Sequence, residues 1–189
     1  MKELVVAVAN GFSASSRRKH TRTKALVERQ LKELGCRYEL YGKRSSFMLA
    51  RSRRFRTFIK DYQGSGKALV CVGKSFGAKQ MVQQVLNPIV EKLDYCGIYL
   101  VTIDPNWPAS WDLTPNLNHS TLRLTKPITK AANVYFVTKG PRKQAGAILA
   151  TPKGTPCRNF PLTDCDHYSI VEHAMTEHIV RAMIVEASL

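Results

Sequence analysis

Within the 189 residues, Gly73-Lys74-Ser75-Phe76-Gly77 is the stretch whose residue types and spacing most directly suggest chemistry. Two chemistries use residues of this kind. A phosphate-binding loop needs G-x-x-x-x-G-K-[ST], because the backbone N–H groups between the glycines wrap phosphate oxygens. Counting back from Gly73, the first glycine falls on Ala68, and residues 68–72 form an apolar run that reads as a strand, which leaves no loop to do the wrapping. Gly64-Ser65-Gly66-Lys67 precedes that strand instead of opening a helix, which is also the wrong context. The other chemistry is nucleophilic: in a G-x-S-x-G turn between a strand and a helix the serine is held in a strained conformation, and small residues two before and two after it let the two elements approach. Gly73, Gly77 and Ala78 meet that demand, so Ser75 is expected to be a nucleophile and Lys74 an incidental residue of the turn.

The elements that must position such a serine follow from hydrophobic periodicity. Leu4 to Ala9 is a continuous apolar run followed by Asn10-Gly11, as expected of a strand buried on both faces of a parallel sheet. A helix is predicted over residues 20–34, where Val27, Leu31 and Leu34 fall on one face and Gly35 stops it. Tyr38 to Tyr41 is a short second strand. Between Arg51 and Tyr62, Phe55, Phe58, Ile59 and Tyr62 form an apolar stripe among arginines and Lys60, giving a helix with a cationic outer face. Ala68 to Val72 is the third strand, and the helix after the elbow carries Ala78, Val82, Val85 and Ile89 on one side. The fourth strand, 97–103, ends at Asp104-Pro105. A connection rich in proline, with Trp107, Trp111 and Leu113, runs to Pro127 and is placed either over the site as an apolar wall or over the sheet edge as cover. The fifth strand is 133–137, the segment 139–166 reads as irregular, and residues 170–184 close the chain as a helix. Strands alternating with helices predict an α/β three-layer sandwich, one domain over residues 1–189, with a mainly parallel sheet of about five strands. Ligands of such sheets sit at the carboxyl ends of the strands.

The first strand with Asn10-Gly11-Phe12-Ser13, the elbow GKSFG, the strand end LVTIDP and the late CDHYSIVEH come in the order in which α/β-hydrolases carry them, and nearly the whole chain resembles that superfamily. The likeness is to its small lipase- and esterase-like members, which lack the first two strands and any large cap. The resemblance implies a Ser-acid-His order with the histidine on a loop before the final helix, and His167 is so placed, whereas His173 and His178 fall within the predicted helix. It implies an acid at a strand end: Asp104 matches the position some lipases use, and the position used by most members is vacant, since the fifth strand runs into Thr138-Lys139-Gly140. Asp166 and Asp164 remain alternatives. It also implies an oxyanion hole from the backbone N–H groups of Phe76 and Phe12, with Asn10-Gly11 where many members carry His-Gly. The expected activity is hydrolysis of a carboxylic ester or thioester, with a small-molecule or lipid ester as substrate and no cofactor or metal.

Bulk composition bears on partners. The net charge is +15, of which the segment Arg17–Lys60 carries +12, with 15 lysines and arginines against Glu28, Glu33 and Glu39. Such a segment reads either as a solvated helix surface or as a site for an anionic neighbour, whether a membrane surface, nucleic acid or an acidic substrate, and a hydrolase-like scaffold that binds anions through it is the alternative function. Binding through phosphates alone weakens steeply with salt. A flavodoxin-like flavin-binding domain shares the expected strand order, but NGFSASS offers no identifiable acidic or aromatic partners for the cofactor. Five cysteines, an odd number without C-x-x-C spacing, favour reduced thiols and a cytoplasmic setting. No apolar run is long enough for a transmembrane segment.

Overall fold

A computed structural model describes residues 2–10, 22–42, 53–64, 66–105, 121–137 and 147–189. The strands are β1 (Leu4–Ala9), β2 (Tyr38–Tyr41), β3 (Ala68–Lys74), β4 (Gly97–Ile103), β5 (Leu122–Arg123), β6 (Lys130–Phe136), β7 (Leu149–Ala150) and β8 (Cys157–Leu162). The helices are α1 (Arg22–Glu33), α2 (Arg53–Asp61), α3 (Phe76–Gln80), α4 (Asn87–Ile89) and α5 (Ala174–Ser188). A π-helical stretch over Met81–Leu86 joins α3 to α4. Pro88, which has no N–H to give back to the preceding turn, lies just beyond that stretch.

The main sheet has six strands in the order β2-β1-β3-β4-β6-β8, and every pairing in it is parallel. Chain order reverses between β1 and β3, so the cleft beyond their carboxyl ends is where a ligand is expected in an open parallel sheet. β1, β3 and β4 are the apolar runs of the sequence because both of their faces are covered. One face buries Val6, Val8, Val70, Val72, Val101 and Ile103 under α1 and α5, with Val27, Leu31, Val180 and Ile184 from the helices. The other buries Val5, Ala7, Leu69, Cys71 and Leu100 against Phe55 and Ile59 of α2 and Met81, Val82 and Val85 of the elbow helix.

The expected three-layer α/β fold is present with one strand more than expected. β8 lies inside the segment that reads as irregular, and its sequence explains why: CRNFPL alternates partly exposed residues and carries Pro161, as suits an edge strand with one open side. β6 begins at Lys130, three residues before the expected start, and the last helix begins at Ala174 after a 3₁₀ turn over Ser169–Glu172, so His173 caps α5 instead of lying within it.

The added strand is tied in by a buried polar row. Thr102, Asn133 and Asn159 are register neighbours on β4, β6 and β8. The Thr102 hydroxyl donates to Asn133 Oδ1 at 2.7 Å, and Asn133 Nδ2 donates to Asn159 Oδ1 at 2.7 Å and to the Ala147 carbonyl at 3.0 Å. Asn159 completes the row by pairing with the backbone N–H and carbonyl of Leu149 at 2.9 and 3.0 Å, which fixes β7 against the sheet.

Much of the charge on α1 is paired with groups distant in sequence. Arg29 bonds Glu177 of α5 at 2.7 Å, Arg22 reaches Glu172 at 3.1 Å, and Arg181 of α5 reaches Glu33 at 3.0 Å, while Lys24 pairs with Glu28 within α1. Buried Gln30 sits between the helices, giving its amide to Glu177 and accepting from Arg181. Exposed pairs of this kind contribute about 0–1 kcal/mol each, so they set the seating of α1 on α5 more than the stability of the fold.

Replacing Asn133 by leucine leaves the Thr102 hydroxyl and the Ala147 carbonyl without their partner in the core. This variant is expected to lose about 2–3 kcal/mol in urea unfolding; a midpoint equal to that of the unaltered protein contradicts a stabilising role for the row.

Candidate active site

The site is built at the carboxyl ends of β3 and β4. Parallel pairing carries on past the end of each strand: Ser75 N–H donates to the Ile103 carbonyl at 2.9 Å, and Asp104 N–H donates to the Val134 carbonyl at 2.6 Å. Ser75 and Asp104 therefore leave adjacent strands at the same level of the sheet.

Ser75 has φ 53° and ψ −132°, a backbone conformation that residues with a side chain rarely adopt and that costs about 1–3 kcal/mol. The turn is held by its surroundings. A Cβ on Gly73 would lie 2.5 Å from the Cα of Ala78, and one on Gly77 would lie 2.6 Å from the Ala9 carbonyl oxygen and against the carbonyl of Asn10. Glycine is therefore required at both positions for α3 to turn back over β3 and to touch the end of β1. The Ser75 carbonyl accepts from Ala78 N–H at 3.0 Å, which closes the first turn of the helix on the serine itself. Ser75 is buried, and so is Phe76, which opens α3.

Asp104 also has a positive φ, 43°, which aspartate tolerates better than most residues. Its carboxylate is fully buried, with a side-chain exposure of 0%. Oδ2 meets Nδ1 of His167, a contact between residues 63 apart in the chain. Because a carboxylate only accepts, the shared proton belongs to Nδ1, and Nε2 keeps its lone pair as the basic nitrogen of the ring. Two aromatic rings lie near the imidazole: Tyr168 meets it edge-on with centroids 5.5 Å apart, and buried Phe136 lies 6.5 Å away.

The loop that presents His167 is braced on both sides. Asp166 Oδ1 accepts from Tyr168 N–H, Ser169 N–H and the Ser169 hydroxyl at 2.8, 2.7 and 2.8 Å. These bonds, chiefly those from Ser169, hold the Asp166 carboxyl below the usual carboxylate range. Asp164 sits beside His173 Nε2 at 3.1 Å, and His173 Nδ1 accepts the Met175 N–H at the start of α5. The alternative acids are thus engaged elsewhere, Asp166 in its own turn and Asp164 with His173, and Asp104 is the carboxylate that meets His167.

The structure brings Asp104 and His167 into contact and puts Ser75 beside Asp104 at the sheet edge. Phe12, the Trp107–Leu113 segment, His20 and His119 lie outside the described residues. Among the described residues there is no group of three or more His, Cys, Asp or Glu side chains that could hold a metal ion, and no helix is long and apolar enough to cross a membrane. Sequence reasoning missed Lys74. Its side chain is partly buried at the end of β3, and burial draws its ammonium from 10.5 down to about 8, against the opposing pull of Asp104. A lysine directly preceding a serine at a strand end was the available signal, since the residue before the turn is carried into the fold with the strand.

Among solved structures, the chain is similar to ClbQ from the colibactin NRPS/PKS pathway, with a TM-score of 0.50 over 99% of this chain and 98% of that one, at 9% sequence identity. The fold is α/β-hydrolase-like. No family model matches the sequence, and no curated protein does.

The steric role of Gly77 can be tested directly. Gly77→Ala forces a methyl group against the carbonyls of Ala9 and Asn10, and a loss of about 2 kcal/mol or more is expected in thermal unfolding. An unchanged melting temperature contradicts the close approach of α3 to β1.

Proposed function

We propose that the protein is a serine hydrolase that cleaves a carboxylic ester or thioester through an acyl-enzyme. Ser75 is the nucleophile, His167 the general base and Asp104 the residue that orients and charges the imidazole. The backbone N–H groups of Phe76 and Phe12 stabilise the oxyanion. The observation that carries this reading is the bond between His167 Nδ1 and buried Asp104 at the strand end where Ser75 is held at positive φ. Backbone strain of this kind persists only when the surroundings enforce it, and here it falls on the one residue of the turn with a hydroxyl.

In the first half-reaction the Ser75 hydroxyl attacks the substrate carbonyl carbon and gives its proton to His167 Nε2. The negative charge gathers on the carbonyl oxygen. Collapse of the tetrahedral intermediate breaks the bond to the alcohol or thiol, which leaves with the proton from Nε2. Water repeats the sequence on the acyl-enzyme: its proton passes to Nε2, its oxygen bonds to the acyl carbon, and Ser75 departs with the proton returned to it. Asp104 stays a carboxylate throughout and stabilises the imidazolium formed in each half.

Ser75→Ala and His167→Ala are each expected to reduce turnover of a short-chain p-nitrophenyl ester by about a thousandfold or more, and Asp104→Asn by about a thousandfold. Ser75→Ala also abolishes labelling by a fluorophosphonate probe. Undiminished labelling of the Ser75→Ala variant contradicts the assignment of the nucleophile.

A further inference from the structure

A carboxylate taken out of water is stable only if charge and hydrogen bonds replace its hydration. Asp104 is fully buried, and His167 serves only Oδ2. Oδ1 is equally removed from solvent and meets no hydrogen-bond donor among the described residues. His167 meets one of the two carboxylate oxygens, so the compensation for lost hydration is incomplete.

Lys74 brings a cation to the same end of the sheet. It ends β3 as the register partner of Ile103, the residue directly before Asp104. The charges that act on its ammonium are those of Asp104, Arg22 at the start of α1, Asp166 on the His167 loop and Glu172 in the 3₁₀ turn before α5. Arg22 and Glu172 pair with each other at 3.1 Å, and Asp166 is occupied by its own turn. Among the described residues Lys74 is left without an ion pair, and Asp104 has His167 on Oδ2 and nothing on Oδ1.

We propose that Lys74 is a positioning residue of the hydrolytic site: its partly buried ammonium is the counter-charge of Asp104 and holds that carboxylate aligned on His167. This role rests on the reading of Ser75, His167 and Asp104 given above. Lys74 touches no reacting atom in it and acts through Asp104.

The same burial makes the counter-charge removable. The ammonium of Lys74 loses its proton near pH 8 in the folded protein, against 10.5 for an ordinary lysine. Since its folded value is the lower, the unfolded chain holds the extra proton between those two values. The contribution of Lys74 to stability is therefore complete above pH 10.5 and is lost as pH falls through about 8. The support it gives Asp104 runs the other way and is lost as pH rises through about 8.

The test compares the unaltered protein with Lys74→Arg and Lys74→Met by two readouts. The first is kcat/KM for a p-nitrophenyl ester from pH 6 to pH 10. The unaltered protein is expected to lose activity above about pH 8, Lys74→Arg to keep it to higher pH, and Lys74→Met to be reduced about tenfold at neutral pH with no further fall near pH 8. Coincident profiles for all three overturn the proposal. The second is the low-field proton NMR signal of the His167 Nδ1–H, assigned by its absence in His167→Gln, which needs no turnover. It should be retained in Lys74→Arg and be shifted or broadened in Lys74→Met at pH 7, and an unchanged signal in Lys74→Met also overturns the proposal. If no form hydrolyses any ester, the hydrolase reading fails while the imidazole signal still decides the role of Lys74. Methionine replaces a partly buried charge with an apolar side chain of similar length, so this variant is expected to fold, and arginine tests the charge independently.

Discussion

The close passage of α3 over the ends of β1 and β3 is the constraint on which the site depends. Side chains at Gly73 or Gly77 would collide with backbone, at Ala78 in one case and at Ala9 and Asn10 in the other. Their absence lets the helix start one residue after the strand pairing ends, and the chain between has only Ser75 with which to reverse. The positive φ of Ser75 is the consequence. The sheet hydrogen bond from Ser75 to Ile103 and the helical bond from Ala78 back to Ser75 hold the residue in this conformation from both sides.

Everything else at the sheet edge is arranged relative to that turn. β4 runs beside β3 in register and ends level with it, so Asp104 emerges next to Ser75. The loop after β8 returns across the same edge, braced by Asp166 at its centre and by the Asp164–His173 pair at its exit, and delivers His167 to Asp104. The row from Thr102 through Asn133 to Asn159 joins β4, β6 and β8, which links the strand that carries Asp104 to the strand that launches the His167 loop. Buried polar groups that lock strand positions thereby fix the places of Asp104 and the His167 loop relative to each other as well as the fold.

The parts of this arrangement legible in the sequence were those set by local rules. β1, β3 and β4 show as unbroken apolar runs because helices cover both their faces, and the elbow shows because steric crowding leaves only small residues at 73, 77 and 78. Asp104 and His167 follow from the resemblance to α/β-hydrolases, through their order along the chain and their places at element ends, and the two side chains meet in the structure. β8 was hidden because an edge strand has one open side, which lets Arg158 and Pro161 break the apolar pattern. The pairing of the α1 cations with Glu172 and Glu177 joins residues about 150 positions apart, and no local pattern specifies it. Without the fold, Lys74 reads as an incidental lysine in a turn. Its meaning depends on Asp104 being buried beside it.

The central claim is that Ser75 forms a covalent acyl intermediate. Mass spectrometry of the protein quenched during turnover of a slowly deacylated ester, followed by tryptic digestion, tests it most directly. The acyl mass is predicted on the peptide Ser75–Lys79, released by cleavage after Lys74, and to be absent in Ser75→Ala. Hydrolysis of the ester with the acyl group on another residue, or with the same adduct yield in Ser75→Ala, contradicts it.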